Sequence, residues 1–505
     1  MTPRRPSVLL VVLDCVRQQD FGASLDMAPV TQAFRHISKS AKVYTHAVAP
    51  STWTIPSHAS IFTGLEPWQH QCHARGDLRL STALETVAER FARAGYYTAC
   101  LSANPWISDI TGLSRGFGVA VRGRAGSWLG HRIPGAERGQ SPFQPTPDGE
   151  DQQQIAQWRS SVLGFSELIA RRYPGLLDVA RRVVRGVEGG AHTHMPHCAD
   201  WIEPVFQGLV KRLESDESFF FFVNFLDAHE PFLLDSEVPI GAKNWLKYYS
   251  VAQGAVFYKT GSRSVPSPQT LAPIHRNYLH RIQGLDERMG RLESILRKAD
   301  RWNDTMVVIT SDHGQAFGEC NQMFHQEFPL PQLARVPLII RPPGGLATIE
   351  VDHQWTSLTQ IHPLILSTVD PEYVKPAPSA VTDERTNPEG PQTAFSCSDG
   401  ILRDFRTSFM LSPAEIQRGD VASSAAYCND VCIFLTEDMA RVRYLDASSG
   451  EPIPGDSRRV SDIPESTSLS LEKIVGLMSR DSRHDFPDRI IRNREVQHRL
   501  ETWGY

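Results

Sequence analysis

Acidic and imidazole side chains directly follow three of the most apolar segments of the chain. The segment Val8–Leu13 precedes Asp14, Phe219–Phe225 precedes Asp227 and His229, and Met306–Ser311 precedes Asp312 and His313. If these segments are parallel strands, their carboxyl ends meet at one edge of a sheet, where the side chains can converge on one crevice. Carboxylate oxygens and imidazole nitrogens together suit Zn²⁺, Mn²⁺ or a related divalent ion. A single Asp after a strand is often only a turn or capping residue, so the joint pattern is what indicates a metal site.

The segment around residue 54 contains Thr54-Ile-Pro-Ser-His58, followed by Thr63-Gly64. It resembles the signature of the sulfatases, in which a Cys or Ser precedes x-Pro-Ser-Arg and a Thr-Gly follows. The other similar segments are Val8-Leu-Leu-Val-Val-Leu-Asp14, Leu226-Asp-Ala-His-Glu-Pro-Phe232, Ile309-Thr-Ser-Asp-His-Gly-Gln-Ala-Phe-Gly-Glu319, and His325 followed by Arg335-Val-Pro-Leu-Ile-Ile-Arg341. The resemblance spans most of residues 6 to 345. It implies a member of the sulfatase-like branch of the alkaline phosphatase superfamily, a metal-dependent enzyme that acts on phosphate or sulfate esters.

In that family the Cys or Ser is converted to formylglycine, and Thr54 stands at this position. A threonine cannot undergo the same oxidation, so we expect Thr54 to attack as an alkoxide, as in superfamily members that have a threonine nucleophile. A metal ion next to the hydroxyl lowers the pKa of the hydroxyl and aligns it for in-line attack. The alternative is that Thr54 merely caps a helix.

The resemblance implies a metal-binding set of Asp14, Thr54, Asp312 and His313. Cys15 occupies the position at which many sulfatases carry a second aspartate, so one carboxylate is missing. Four ligands fit one Mn²⁺ or Zn²⁺ ion better than Ca²⁺, which prefers six to eight oxygens; Ca²⁺ and Mg²⁺ remain alternatives. Cys15 could itself bind a soft metal, but we favour the interpretation that it is a small buried residue at a strand end.

The resemblance also assigns roles to residues outside the metal set. His229 and His325 match positions that lie over the substrate, where they stabilise the transferred group or protonate the leaving oxygen, and we expect both to be catalytic. We expect substrate binding from His58, which replaces the family's arginine, and from Asn104, which follows a strand. A simple Asn-Pro turn is the alternative for Asn104. Asp227 would join His229 and His325 in a second metal site, an arrangement that is conceivable but not favoured.

Short apolar runs alternate with longer helical patterns along the chain, which is typical of a mostly parallel sheet covered by helices. The clearest predicted strands are Val8–Leu13, Tyr97–Ser102, Phe219–Phe225, Met306–Ser311 and Pro337–Arg341. The clearest predicted helices are Ala83–Ala94 and Asn277–Ala299. We therefore predict an α/β fold with a mostly parallel central sheet flanked by helices, which the resemblance identifies as alkaline phosphatase-like.

Composition shifts predict the division of the chain. Residues 1–369 form the predicted catalytic α/β domain, with an insertion around 123–215 that begins with the Gly-, Pro- and Gln-rich stretch 123–154. Residues 370–393 form a linker, and residues 394–505 form a small C-terminal α+β subdomain. In that subdomain the predicted strands are Thr407–Leu411, Val431–Thr436 and Arg441–Leu445, and the predicted helix is Ser468–Met478.

The overall composition excludes several classes of function. A net charge of −5 and a pI near 6.4 provide no basic field for nucleic acid. No stretch approaches the ~20 apolar residues that span a bilayer, and the apolar run near the N-terminus is too short for a signal peptide. The eight cysteines form no C-x-x-C pair, which favours reduced thiols in a cytoplasmic protein. We expect a small-molecule ester as substrate and neither nucleic acid nor a membrane as partner; the sequence carries no signal for an oligomeric state.

Three functions are compatible with these residues. The favoured one is a hydrolase that forms a covalent intermediate on Thr54 and releases it to water. The first alternative is a soluble transferase of small-molecule biosynthesis, in which an acceptor alcohol or amine takes the phospho or sulfo group instead. The second alternative is a non-catalytic descendant of the fold. It is disfavoured because a group of desolvated metal ligands kept together without an ion is costly to bury.

Overall fold

The structure of the protein is a computed structural model. It describes residues 5–21, 32–73, 77–104, 106–122, 127–128, 199–229, 268–319, 323–325, 328–369, 394–398, 423–428, 431–436, 442–446 and 452–458. Within these ranges the chain forms a large mixed sheet with helices on both faces and a separate antiparallel sheet. In this part of the chain, no helix is both long enough and apolar enough to cross a bilayer.

The large sheet is mostly parallel at its centre. The strands up to residue 357 are β1 (Ser7–Leu13), β2 (Lys42–Val48), β3 (Tyr97–Ser102), β4 (Val119–Arg122), β5 (Ser127–Trp128), β6 (Phe219–Phe225), β7 (Thr305–Thr310), β8 (Ala316–Phe317), β9 (Met323–Phe324), β10 (Arg335–Arg341), β11 (Glu350–Asp352) and β12 (Thr356–Ser357). Their order across the sheet is β11-β2-β10-β7-β1-β6-β3-β4-β5, with β12 beside β2, while β8 and β9 form a small ribbon of their own. Because β1, β3, β6 and β7 run in parallel, their carboxyl ends lie along one edge of the sheet.

Helices cover both faces of this sheet. They are α1 (Gln32–Ser38), α2 (Thr54–Thr63), α3 (Pro67–His70), α4 (Val87–Arg93), α5 (Ile202–Arg212), α6 (Pro268–Lys298), α7 (Pro331–Ala334) and α8 (Ile361–Leu366), with short 3₁₀ turns at Gln18–Asp20 and Leu358–Gln360. Successive residues of a strand point to opposite faces. Leu9 and Val11 of β1 join the core under α1, α5 and α6, whereas Val8 and Leu10 join the core under α2, α4 and α8. Burial on both faces explains why β1 is a continuous apolar run.

The predicted α/β fold is confirmed, and so are the predicted central strands. β3 and β6 have the predicted bounds, and β1, β7 and β10 differ from them by one or two residues. The helix predicted from Ala83 begins only at Val87, because Thr86 caps it: Thr86 Oγ1 accepts a hydrogen bond from Glu89 N at 3.2 Å, and Thr86 N donates to Glu89 Oε2 at 2.8 Å. The long helix α6 begins nine residues earlier than predicted, at Pro268 instead of Asn277.

The C-terminal region contributes an antiparallel sheet. Its strands are β13 (Ala394–Ser398), β14 (Ser423–Cys428), β15 (Val431–Thr436), β16 (Val442–Asp446) and β17 (Pro452–Arg458), paired in sequence order. β15 has its predicted bounds, and β16 begins one residue after its predicted start. The predicted insertion loop 123–154 (apart from Ser127–Trp128), the strand 407–411, the helix 468–478 and the linker 370–393 lie outside the described residues. The predicted domain boundary stays a prediction.

β13 packs against the segment that leads into α2. Cys397 N donates to Pro50 O at 3.0 Å, and Ser51 Oγ donates to Cys397 O at 2.9 Å. Further along, Ser57 Oγ in α2 donates to Ser51 O at 3.0 Å. The C-terminal sheet therefore helps to fix the start of α2, the helix that begins with Thr54.

Candidate functional site

The loops at the carboxyl edge of the sheet bring most of the predicted site residues together. Asp14 follows β1, Asp312 follows β7, and Asn104 follows β3. β1 lies between β7 and β6, and β6 lies between β1 and β3, so the three residues leave neighbouring parts of one edge. All three side chains are buried.

Thr54 is the first residue of α2, at the centre of this cluster. Its hydroxyl oxygen lies 3.1 Å from Asn104 Nδ2, and the same amide nitrogen donates to Asp14 Oδ2 at 2.7 Å. The alternative in which Thr54 merely caps the helix is wrong, because Trp53 is the capping residue and Thr54 already belongs to the helix. The amino end of a helix also carries a partial positive charge, which favours an anion next to Thr54.

His313 lies next to both Asp14 and Asp312, and donor atoms of Asp14, Cys15 and His313 all lie within 4.8 Å of one another. His313 Nε2 lies 3.4 Å from Asp312 Oδ2 and 3.9 Å from Asp14 Oδ1. Oxygen and nitrogen ligands that each lie ~2.1 Å from a Zn²⁺ ion at a tetrahedral angle are about 3.4 Å apart. Asp312 Oδ2 is fully buried and accepts no hydrogen bond from any described residue. A divalent cation bound next to His313 would compensate the two buried carboxylates of Asp14 and Asp312.

The electrostatics of the two carboxylates support the same conclusion. Burial away from water, with the charge of Asp312 as the next cause, raises the pKa of Asp14 to about 6. Burial likewise raises the pKa of Asp312 to about 7, against hydrogen bonds from the backbone of Cys15 and His313. Two neighbouring desolvated carboxyl groups resist simultaneous ionisation unless a cation compensates their charge.

His58 lies behind the nucleophile. Its Nδ1 is 2.9 Å from Thr54 O and 3.5 Å from Asp312 Oδ2, and the ring packs edge-on against Phe222. Complete burial lowers the pKa of His58 to about 3, so the ring is neutral and its Nδ1–H donates to the carbonyl of Thr54. His58 therefore supports the backbone of Thr54 without adding a charge.

His229 and His325 lie side by side at the same edge. Their ring centroids are 4.9 Å apart, and His325 also stacks on His313 at 4.6 Å. His325 is buried, whereas His229 is partly exposed. The structure therefore brings together all eight residues predicted for the site: Asp14, Thr54, His58, Asn104, His229, Asp312, His313 and His325.

Asp227, the conceivable ligand of a second metal ion, points elsewhere. Its Oδ1 accepts a hydrogen bond from Arg288 Nε of α6 at 2.9 Å. Arg288 also contacts both carboxylate oxygens of Glu203, at 2.9 and 3.0 Å. A buried ion pair therefore engages one oxygen of Asp227, and a second metal site with this residue stays the disfavoured hypothesis of the sequence analysis.

Two residues that contact the site were not identified from the sequence. Gln315 Oε1 lies 3.1 Å from His325 Nδ1, and Tyr278 OH donates to Cys15 O at 2.9 Å while it accepts from Arg17 N at 2.9 Å. Gln315 lies inside a segment that resembles the family, so its position was a usable signal. Tyr278 lies 263 residues from Cys15 in the sequence, and nothing in its local pattern distinguishes it from a core residue of α6.

Comparisons with known proteins agree with the fold. The family model described as Sulfatase matches residues 6–371. The arylsulfatase of Clostridium perfringens (strain 13 / Type A) is 22% identical over 368 residues, which cover 68% of this chain and 69% of that protein. The phosphonate monoester hydrolase of Agrobacterium radiobacter superimposes with a TM-score of 0.58 at 16% identity, covering 94% of this chain and 95% of that one. The phosphonate monoester hydrolase SpPMH of Silicibacter pomeroyi gives 0.58 at 17% identity, with 94% of each chain covered.

Proposed function

Because this chain belongs to the sulfatase family and is an ester hydrolase, we propose that it hydrolyses phosphate or sulfate esters of small alcohols with Thr54 as its nucleophile. The proposal includes a covalent intermediate on the Thr54 hydroxyl and a divalent metal ion, Zn²⁺ or Mn²⁺, at Asp14, Asp312 and His313. Among the ester classes, we propose that phosphorus esters are the better substrates.

The observation that carries this proposal is the contact of Asn104 with two partners at once. Its amide nitrogen lies 2.7 Å from Asp14 Oδ2 and 3.1 Å from Thr54 Oγ1, so the hydroxyl is held next to a predicted metal ligand. A hydroxyl that attacks must have its proton removed and its lone pair aligned, and a site beside a cation supports both. Thr54 is also almost completely buried, so its side chain is held among these residues.

The preference for phosphorus esters follows from the side chain at position 54. Hydrolysis through a formylglycine hydrate requires an aldehyde, and a threonine does not give one. Thr54 therefore acts as a simple alkoxide. Phosphoryl transfer to a hydroxyl needs mainly positioning and compensation of charge, and a metal ion with hydrogen-bond donors supplies both. The structural neighbours include both phosphonate monoester hydrolases and sulfatases, so the preference rests on position 54.

The bound metal ion would supply a Lewis acid that lowers the pKa of the Thr54 hydroxyl and polarises the ester. Asp14, Asp312 and His313 are the residues that would hold it. Thr54 loses its proton to solvent before attack, forms a bond from Oγ to phosphorus, and breaks the bond from phosphorus to the alcohol oxygen. That oxygen takes up a proton from a protonated imidazole, for which His229 is placed best because it is partly exposed.

The second half of the reaction regenerates the site. The imidazole, now neutral, accepts a proton from a water molecule as its oxygen attacks the phosphothreonine. The bond between Thr54 Oγ and phosphorus breaks, and the products are the alkoxide of Thr54 and the free phosphorus acid, which is inorganic phosphate only when the substrate is a phosphate monoester. His58, which donates to the Thr54 carbonyl, keeps the start of α2 in place during both steps.

The test is hydrolysis of an aryl sulfate, a phosphate monoester, a phosphodiester and a phosphonate monoester by protein loaded separately with Zn²⁺, Mn²⁺, Mg²⁺ or Ca²⁺. We expect the highest kcat/KM for a phosphorus ester with Zn²⁺ or Mn²⁺. Thr54→Ala should lower kcat by at least about 10³-fold, and Thr54→Ser should retain measurable activity because it keeps the hydroxyl. An acid-quenched reaction should yield a peptide in which Thr54 carries one phosphoryl group.

A matched control lies on the same helix. Thr63, at the far end of α2, donates to Ala59 O at 2.7 Å and is buried like Thr54. Thr63→Ala should change stability but leave kcat within about threefold, because the two hydroxyl groups are separated by nine residues, or about 13 Å of helix. Full activity in Thr54→Ala would disprove the nucleophile, and faster cleavage of the aryl sulfate than of every phosphorus ester would disprove the preference.

A further inference from the structure

The side chain of Cys15 lies next to the proposed metal ligands, although the sequence analysis favoured a structural role for this residue. Its sulfur lies 3.3 Å from Asp14 Oδ1, and its backbone N–H points at Asp312 Oδ1 at 3.4 Å. Cys15, Asp14 and His313 can direct one donor atom each to within 4.8 Å of one another. Sulfur and oxygen ligands that lie ~2.3 and ~2.1 Å from a Zn²⁺ ion at a tetrahedral angle are about 3.6 Å apart. The spacing of Cys15 and Asp14 is close to this value.

The backbone of Cys15 is held in a conformation that aims the side chain into the site. Its φ angle is 65°, in the left-handed region that residues other than glycine seldom adopt. Tyr278 OH fixes the turn, because it donates to Cys15 O and accepts from Arg17 N, each at 2.9 Å. The φ angle and the hydrogen bonds of Tyr278 together fix the direction in which the Cys15 side chain leaves the backbone.

A second, independent observation points to a ligand at the same place. Asp312 Oδ2 is fully buried, lies 3.4 Å from His313 Nε2, and accepts no hydrogen bond from any described residue. An ionised carboxylate oxygen without a donor is costly to bury, so it needs a cation. Three distances link this oxygen to the sulfur. Asp312 Oδ2 lies 3.4 Å from His313 Nε2, His313 Nε2 lies 3.9 Å from Asp14 Oδ1, and Asp14 Oδ1 lies 3.3 Å from Cys15 Sγ.

We propose that the Cys15 thiolate is a direct ligand of the metal ion, so that the site holds one sulfur beside oxygen and nitrogen donors and selects Zn²⁺ over Mn²⁺, Mg²⁺ and Ca²⁺. The inference rests on the metal site of the proposed function but concerns a residue that departs from the family pattern. Thiolate is a soft ligand that favours Zn²⁺, whereas Mg²⁺, Ca²⁺ and Mn²⁺ prefer oxygen. A cysteine in place of the second aspartate therefore keeps a negative ligand and changes which ion binds best.

Two neighbouring imidazoles compete for the same sulfur. Cys15 Sγ lies 3.8 Å from His313 Nδ1 and 3.8 Å from His325 Nδ1. Each of these nitrogens has a closer oxygen partner: Gly314 O at 3.0 Å from His313, and Gln315 Oε1 at 3.1 Å from His325. Cys15 Sγ lies closer to Asp14 Oδ1, at 3.3 Å, than to either of these imidazole nitrogens.

The test uses Co²⁺ in place of Zn²⁺, because a thiolate bound to Co²⁺ gives a strong near-ultraviolet charge-transfer band that oxygen and nitrogen ligands do not. We expect this band in the wild-type protein loaded with one Co²⁺ per chain, and its loss in Cys15→Ser. Cys72→Ser is the matched control: Cys72 is equally buried but contacts Leu78 O at 3.5 Å, away from the set, so the band should be unchanged.

A second variant protects the test against misfolding. Cys15→Asp restores the family's carboxylate, and aspartate tolerates a positive φ angle better than most residues. We expect Cys15→Asp to fold and to bind one ion. The ratio of its affinity for Zn²⁺ to its affinity for Mn²⁺, measured by competition with a chelator dye, should be at least about tenfold lower than in the wild type. Thermal unfolding of each variant, with and without Zn²⁺, confirms that it is folded.

The outcomes separate this inference from the proposed function. A band that persists in Cys15→Ser, a wild-type Co²⁺ complex without the band, or an unchanged ratio of Zn²⁺ to Mn²⁺ in Cys15→Asp overturns the sulfur ligand. If no ester is hydrolysed but the band depends on Cys15, the proposed function fails and the sulfur ligand stands. If esters are hydrolysed by a complex that lacks the band, the sulfur ligand fails and the proposed function stands.

Discussion

Replacing Asn104 with leucine removes the side-chain contacts that join the nucleophile to the metal site. Leucine has nearly the same shape, but it cannot donate to Asp14 Oδ2 or to Thr54 Oγ1, which lie 2.7 and 3.1 Å from the amide nitrogen. A hydrogen bond to a charged acceptor contributes about 1.5–3 kcal/mol, and one to a neutral acceptor about 0.5–1.5 kcal/mol. If both contributions are lost from the transition state, kcat/KM falls by about 30- to 2,000-fold, since 1.36 kcal/mol is a factor of ten.

The assay is steady-state hydrolysis of the best ester, together with the metal content and the thermal unfolding of each variant. We expect most of the loss in kcat, because Asn104 holds the nucleophile and the ligand Asp14. The control is Ser102→Ala: Ser102 Oγ contacts the backbone N and O of Asn104 and Oδ1 of Asn224, at 3.0 to 3.1 Å, but has no contact with the side-chain amide of Asn104. Because the contacts of Asn104 Nδ2 with Asp14 and Thr54 remain, this variant should lose at most about tenfold in kcat/KM. An Asn104→Leu enzyme that keeps its metal and works within threefold of the wild type would refute the reasoning.

Three further perturbations test the packing around the site. Gly314→Ala places a Cβ 2.0 Å from Gln332 O, so urea unfolding should show a loss of at least about 2 kcal/mol, and an unchanged midpoint would contradict the close approach. Arg288→Met leaves Asp227 without its buried cation, while Glu203 keeps its contact with Arg291 at 2.9 Å; the same measurement should show a loss of about 3–5 kcal/mol, far more than a surface variant gives. Removing the metal with a chelator should lower the free energy of unfolding by about 2.7 kcal/mol relative to protein in a free metal concentration 100 times the Kd. A Tm that does not change with the chelator would argue against a bound ion.

The central strands were predictable because they are buried on both faces. β1, β6 and β7 are almost uniformly apolar, and every residue of each strand is buried. β2 was not predicted, because its sequence Lys-Val-Tyr-Thr-His-Ala-Val mixes polar and apolar residues and four of its seven positions are only partly buried. It joins the sheet through its pairing with β10, which the local pattern does not encode.

The membership of the site was predictable for a related reason. Once β1 and β7 are recognised as neighbouring parallel strands, Asp14 and Asp312 must lie at one edge, whatever the loops between them do. The direction of each side chain was not predictable in the same way. Asp227 also follows a core strand, yet Arg288, 61 residues further along the chain, draws it into an ion pair. The orientation of Cys15 depends on a positive φ angle and on Tyr278 in α6. Such long-range contacts leave no local signal.

The departures from the family pattern have a common electrostatic consequence. His58 replaces an arginine, and because burial lowers its pKa to about 3, it contributes no positive charge behind Thr54. Cys15 replaces an aspartate, and as a thiolate it would keep the negative charge of that ligand. The site therefore has one positive charge fewer than the family pattern implies. Because electrostatic attraction scales with the charge of the ester, a dianionic substrate loses more binding energy than a monoanionic one. Among the phosphorus esters, phosphodiesters and phosphonate monoesters should accordingly be cleaved with a higher kcat/KM than phosphate monoesters, and a preference for the dianionic monoester would show that another cation replaces the arginine.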